Sequence, residues 1–410
     1  IEIAGMLRDE PPLERTVIFL VTDGEEMGLL GARRFVEEHP LANQVAAVIN
    51  MEARGTTGPS MMFETSDDNG WLINLFARTA RKPFASSLFF EIYRFLPNDT
   101  DFTVFRLHDM KGFNFAFIGN VNNYHSPNDN FNNLDRRSLQ HHGENVLPLL
   151  RALANSDIES QPATRAVYFD VLGYFIVRWP EFISLWLALS GLLLVFLFSR
   201  YRANQDKQAG QQPAFSSVIV SVLMVTMGTT AVVGTGILLN IGLAFDNVME
   251  HPWPVQPVPV QASYWMFGLT TLAATMWLVS NRIQWRPVWY GVWLVWAALA
   301  VITSTMMAGA SYLFIVPLLS TGLAIVLTML AGDGNPDRQA AFVSCCGALA
   351  VGLIFMPNER IFYDALGFRM NLAMVIRVAV VSNALIPVMA LTSRRALGGL
   401  TVASLLIWVG

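Results

Sequence analysis

Cysteine is almost absent from this chain. Its 410 residues hold only Cys345 and Cys346, adjacent within an apolar run, so no disulfide framework braces the polar part of the sequence. Charge is scarce as well: 14% of residues are charged against 53% hydrophobic, and the formal net charge is -4. No basic stripe occurs, which argues against nucleic acid as a partner. The opening "IEIAGMLRDEPP" has neither an initiating methionine nor a signal segment, and the closing "LGGLTVASLLIWVG" stops inside an apolar run. The chain therefore reads as an internal piece of a longer protein, and the missing signal says nothing about compartment.

The scarcity of charge is uneven. Charged residues are frequent up to about Glu159, and beyond Trp179 long apolar runs take over. A bilayer core about 30 Å thick needs roughly 20 apolar residues in a helix. Runs of that kind occur near 181–199, 215–241, 262–280, 287–306, 311–331, 339–356 and 371–391, with an incomplete one from 396. The expectation is an all-α multi-pass transmembrane domain over 181–410, about seven to eight helices, with the lipid bilayer as a partner. Arg200, Arg202, Lys207, Arg282, Arg286, Arg338, Arg394 and Arg395 fall on alternate loops. By the positive-inside rule those loops face the cytoplasm and the polar half lies outside it. A bacterial inner membrane is favoured, and the "NDT" at 98–100 leaves an endoplasmic reticulum lumen open. Arg377, inside the seventh run, is a candidate functional charge, with a snorkelling side chain the equal alternative.

The polar half alternates short β-branched runs with amphipathic ones. "TVIFLVT" (16–22), "QVAAVINME" (44–52), "MMFET" (61–65) and "GFNFAFIG" (112–119) read as strands. Helices are expected over 28–38, 70–82 and 138–155, where apolar residues recur at spacings of three and four. This alternation predicts a mainly parallel sheet flanked by helices, an α/β domain over 1–160, joined by a linker (161–180) to the membrane part. Reactive groups in such sheets gather beyond the carboxyl ends of the strands. "DGEE" follows the first run, Glu52 ends the second, and His125 follows the last in "NVNNYHSPNDN". Asp101, in "LPNDTDF", precedes an expected helix and is a further candidate for the same edge.

Adjacent carboxylates repel, so three acids in one turn need a reason. A bound cation supplies one: one of Glu25 and Glu26 ligates while the other faces a water. Glu and His are ordinary zinc ligands. The other reading is an exposed acidic turn capping the helix at 28–38, where the dipole favours acids.

Four ordered stretches carry a more specific signal: "TDGEEMGLLGARRFVE", "VINMEARGTTGPSMMFET", "LPNDTDFTVFR" and "YHSPNDNFNNLDRRSLQHHGENVLPLLRALA". Together they resemble metallopeptidase family 28, the two-zinc aminopeptidases, in its membrane-bound branch related to the endoplasmic reticulum metallopeptidase. The resemblance covers about residues 1–155. It implies a zinc-aminopeptidase-like fold and hydrolysis of N-terminal peptide bonds of peptides outside the cytoplasm. It further implies Glu25 as general base, Glu26 and His125 as ligands of one zinc, Glu52 as a ligand of the other, and Asp101 as a group near the site that supports a ligand. The family's His-x-Asp and bridging Asp have no counterpart before residue 16. The fragment alone is therefore expected to bind metal poorly and to be inactive, whereas the parent is expected to be an enzyme. The alternative is a catalytically inactive peptidase-like binding module on a membrane scaffold.

Overall fold

Alternating strand and helix signals build one unit, and continuous apolar helices build another. The computed structural model describes residues 1–410 except 97, 159, 209–225, 227, 239–240, 242–256, 280–284, 332–335, 367–370 and 410. The first unit comprises Ile1–Ser184 and Met307–Tyr312, and the second the remaining residues.

In the first unit the chain runs α1 (Glu2–Arg8), α2 (Leu30–Glu38), β1 (Ala47–Ala53), β2 (Met61–Thr65), α3 (Gly70–Thr79), α4 (Ser87–Tyr93), α5 (Asp101–Leu107), β3 (Lys111–Phe117), α6 (Arg136–Ala154), β4 (Ala166–Val171) and β5 (Phe175–Pro180). The sheet order is β1-β3-β2. β1 pairs with β3 in parallel, from Ala47 opposite Lys111 to Ala53 opposite Phe117. β2 pairs with β3 antiparallel, with an irregularity between Met62 and Glu64. The fold is thus α/β with a mixed rather than purely parallel sheet.

The period-2 alternation of β1 and β3 sends successive side chains to opposite faces. On one face Phe113 and Phe115 pack with Trp71, Leu72, Ile73 and Phe76 of α3 and with Val146, Leu149 and Leu153 of α6. Each such large apolar side chain contributes roughly 1.5–3 kcal/mol by leaving water. On the other face Val48 joins Leu29, Ala32 and Phe35 of the α2 region and Val104 and Phe105 of α5. Helices therefore cover the sheet on both sides, and Glu52 follows Val48 and Asn50 on the α2/α5 face.

The run at 16–22 differs from expectation. It forms no strand and joins no ladder, and Ile18, Phe19, Leu20 and Val21 are 41%, 50%, 42% and 93% exposed. β-branched apolar residues favour extended backbone, yet a strand also needs a neighbour about 4.8 Å away, and composition cannot supply one. Residues 161–180, read as a linker, contain the β4–β5 hairpin instead. Tyr168 and Ile176 of that hairpin belong to the α3/α6 core. Residues Met307–Tyr312 are also built into this unit. Tyr312 shares a 2.7 Å hydrogen bond with Ser86 and stacks on Phe169 at 4.7 Å, and the Ser87 hydroxyl donates to the Gly309 carbonyl at 2.7 Å.

The second unit is helical: α7 (Ser184–Gln208), α8 (Gly228–Leu238), α9 (Pro257–Val279), α10 (Trp285–Met306), α11 (Tyr312–Leu330), α12 (Pro336–Phe355), α13 (Glu359–Leu366), α14 (Asn371–Ala390) and α15 (Arg394–Val409). Among the described residues, four stretches are long and apolar enough to cross a membrane: Glu181–Tyr201, Trp289–Met306, Tyr312–Leu330 and Arg338–Phe355. Gly228–Leu238 and Ala373–Met389 are shorter apolar helices. Most of the expected run at 215–241 lies outside the described residues.

Candidate active site

The parallel pairing of β1 with β3 brings their carboxyl ends to one edge of the sheet. Glu52 stands opposite Ala116 there, and β3 leads through a short turn at Val121–Asn123 to His125. The "DGEE" turn reaches the same place, and its backbone explains its glycines. Gly24, Gly28 and Leu29 all have positive φ, at 70°, 108° and 62°. The Gly31 amide donates to the Asp23 carbonyl at 2.9 Å. A Cβ on Gly31 would lie 2.7 Å from the Asp23 nitrogen, so only glycine permits this close return.

The turn brings Glu26 against His125, 99 residues away in sequence, with Oε1 in hydrogen-bond contact with Nε2. The Tyr124 hydroxyl donates to the same Glu26 oxygen at 3.3 Å, and its ring stacks on His125 at 3.8 Å. The His125 and Glu26 side chains are 56% and 59% exposed. Their open side faces solvent.

Behind this pair the environment is drier. Partial burial, then the charges of Glu26 and Asp101, raise the Glu25 carboxyl above its ordinary pKa, and His125 opposes them. Burial pushes the Glu52 carboxyl up to about 7, with Glu25, Asp101 and Glu26 adding to the rise and a hydrogen bond from Asn50 opposing it. That bond is 2.9 Å, from Asn50 Nδ2 to Glu52 Oε1. Asp101 opens α5, where Thr100 forms a capping box with Thr103. Its Oδ2 accepts from the Thr22 hydroxyl, and its buried Oδ1 has no hydrogen-bond partner.

Glu26, Asp101 and His125 thus lie within electrostatic reach of Glu25, and Glu25, Asp101 and Glu26 within reach of Glu52. Among the described residues, however, no three acidic or histidine side chains come together closely enough to hold a metal ion. The donor chemistry does fit zinc: carboxylate oxygen and imidazole nitrogen in contact, and a buried carboxylate oxygen lacking a partner.

Arg377 stands apart, in α14. It is 7% exposed and lies 2.9 Å from Glu359 Oε2, so it is not an isolated charge. Its guanidinium also donates to the Phe355 and Asn358 carbonyls and lies over the Phe362 ring at 4.8 Å. Glu359 in turn accepts from Trp265 Nε1 at 3.0 Å.

Sequence reasoning missed Tyr124, Asn50 and His142. The first two sit beside predicted residues, in "YHS" and "NME", and were available from the motifs. His142, on the closing helix, is only 5% exposed, and burial lowers its pKa. A pair of histidines within a helical pattern does not reveal which one faces inward.

Residues 1–150 match the family profile described as Peptidase family M28. This stretch is an M28 peptidase domain. Among curated proteins, the chain is 33% identical over 189 residues to endoplasmic reticulum metallopeptidase 1 of Rattus norvegicus, covering 44% of this chain and 21% of that protein. The Homo sapiens protein of the same name is 35% identical over 176 residues, 41% of this chain and 20% of the relative. A vacuolar membrane protease of Vanderwaltozyma polyspora is 30% identical over 198 residues, 45% of this chain and 21% of the relative. The alignments thus span about a fifth of each relative's length. No solved structure matches the chain.

Proposed function

We propose that this chain is part of a membrane-anchored, zinc-dependent aminopeptidase that hydrolyses N-terminal peptide bonds of peptides outside the cytoplasm. One observation carries the reading: Glu26 and His125, far apart in sequence, meet at the sheet edge where Glu25, Glu52 and Asp101 also gather. In this proposal Glu26 and His125 hold one zinc ion, Glu52 contributes to the second, and Asp101 steadies the turn through Thr22. Zinc, when bound, polarises the scissile carbonyl and acidifies water. Glu25 is the general base: its raised pKa brings it closer to neutrality, where a carboxylate accepts a proton from water and returns it to the leaving amine most effectively. The half-exposed face of the Glu26–His125 pair leaves room for an extended peptide. Arg377 and Glu359 are proposed as a structural ion pair of the helical unit.

The absence of a three-residue metal cluster among the described residues favours a second reading, the inactive peptidase-like binding module. One pair of measurements decides between them in the full-length protein. The enzyme reading expects about two bound zinc ions per chain and a loss of about 10²- to 10⁴-fold in kcat for Glu25→Gln. A zinc-free wild type, or a Glu25→Gln variant with undiminished turnover, would overturn it.

We also propose that the peptidase domain is extracytoplasmic. The basic helix ends at 200–207, 338 and 394–395 alternate with the segment Met307–Tyr312, which has no basic residue and belongs to the same compact unit as the peptidase domain.

A further inference from the structure

Helix α6 carries two adjacent histidines, and both are fully engaged. A main-chain carbonyl only accepts, so each ring nitrogen facing one must carry the proton. His142 Nε2 faces the Glu52 carbonyl at 3.1 Å, and His141 Nε2 faces the Lys82 carbonyl at 2.8 Å. Each Nδ1 is then an acceptor, and both accept from one residue. The Ser60 amide donates to His141 Nδ1 at 3.0 Å, and the Ser60 hydroxyl donates to His142 Nδ1 at 2.6 Å. Ser60 is completely buried, so neither bond competes with water.

The placement gives this relay a purpose. α6 packs on the sheet face formed by Ala47 and Ile49, whereas Val48 and, by alternation, Glu52 point to the opposite face. His142 therefore grips the backbone of Glu52 from behind while the carboxylate projects into the candidate site. We propose that His142 is a positioning residue for Glu52, fixing through its carbonyl where the carboxylate stands, with Ser60 and His141 holding the imidazole in one tautomer and orientation. The inference rests on the reading of Glu52 as a metal ligand. Partners that orient a ligand without touching the metal commonly change its affinity by 10- to 100-fold.

The test uses the full-length protein, with zinc affinity measured by competition with a chelator alongside kcat and KM for an unblocked peptide. His142→Ala is expected to weaken zinc binding by about 10- to 100-fold and to lower kcat more than it changes KM. His142→Gln, whose side-chain amide can still donate to the Glu52 carbonyl, should recover most of the affinity. His141→Ala, which leaves that donor in place, should lower the melting temperature without comparable zinc loss. If His142→Ala does not fold, Ser60→Ala tests the same link and should weaken zinc binding in the same direction. Wild-type zinc affinity in folded His142→Ala or Ser60→Ala, or no recovery in His142→Gln, overturns the proposal. Glu52→Gln separates the two layers of argument. If it keeps zinc, the ligand reading fails and takes this inference with it; if it loses zinc while His142→Ala does not, only the positioning role fails.

Discussion

Glu52 shows how one side chain couples burial, charge and pH. Its carboxyl is raised to about 7 in the folded protein from an ordinary 4.5, chiefly by burial. Between those values the folded metal-free chain keeps a proton that the unfolded chain releases. Its stabilising contribution is therefore complete below about pH 4.5 and is lost as the pH rises through about 7, a change of at most about 3 kcal/mol. Metal-free protein should melt at a lower temperature at pH 7.5 than at pH 5, and Glu52→Gln should flatten that part of the dependence. A wild-type profile that climbs over this range, unchanged by Glu52→Gln, would contradict the assigned burial. Zinc should reverse the trend, because a ligand carboxylate must give up its proton. At this scale much was legible: Glu52 and His125 announced themselves by their places at and after strands, and Glu25 and Glu26 by their crowding in one short motif. His142 did not, because whether a helix residue is buried depends on what packs over it.

Among the elements, α13 and α14 present a buried pair whose meaning differs from that of an isolated charge. Arg377 lies 2.9 Å from Glu359 and is almost wholly enclosed. Removing one partner leaves the other charge without compensation, which typically costs about 3–5 kcal/mol, whereas replacing both with apolar residues costs much less. Arg377→Leu and Glu359→Leu should each lower thermal stability in detergent markedly, and the double variant should be more stable than either single one. Additive losses in that cycle would refute the pairing. The strands teach a related point. Ladder partners decided that β1 and β3 pair while the equally strand-like run at 16–22 does not. A run's composition records its preference for extended backbone and nothing about its neighbour.

For the whole molecule, sidedness follows from which loops share a unit. Met307–Tyr312 is knit to the α/β unit through Ser86, Ser87 and Phe169, so it must lie on that unit's side of any membrane. With Cys345 and Cys346 replaced by serine, Met306→Cys, 82% exposed in the native residue, should react with a membrane-impermeant thiol reagent from the peptidase-domain side. Arg394→Cys should react only after permeabilisation. The opposite pattern would reverse the proposed orientation.

The sequence alone indicated that an α/β domain precedes apolar helices, and it singled out the acids and the histidine that the structure brings to one sheet edge. Those features live in local periodicity and short motifs, which each stretch of chain carries by itself. Tertiary structure alone decided that Glu26 meets His125, that Glu52 is held from behind by His142, and that Arg377 has Glu359. Each of these is a contact between segments far apart in sequence, fixed by packing across layers that no local pattern records.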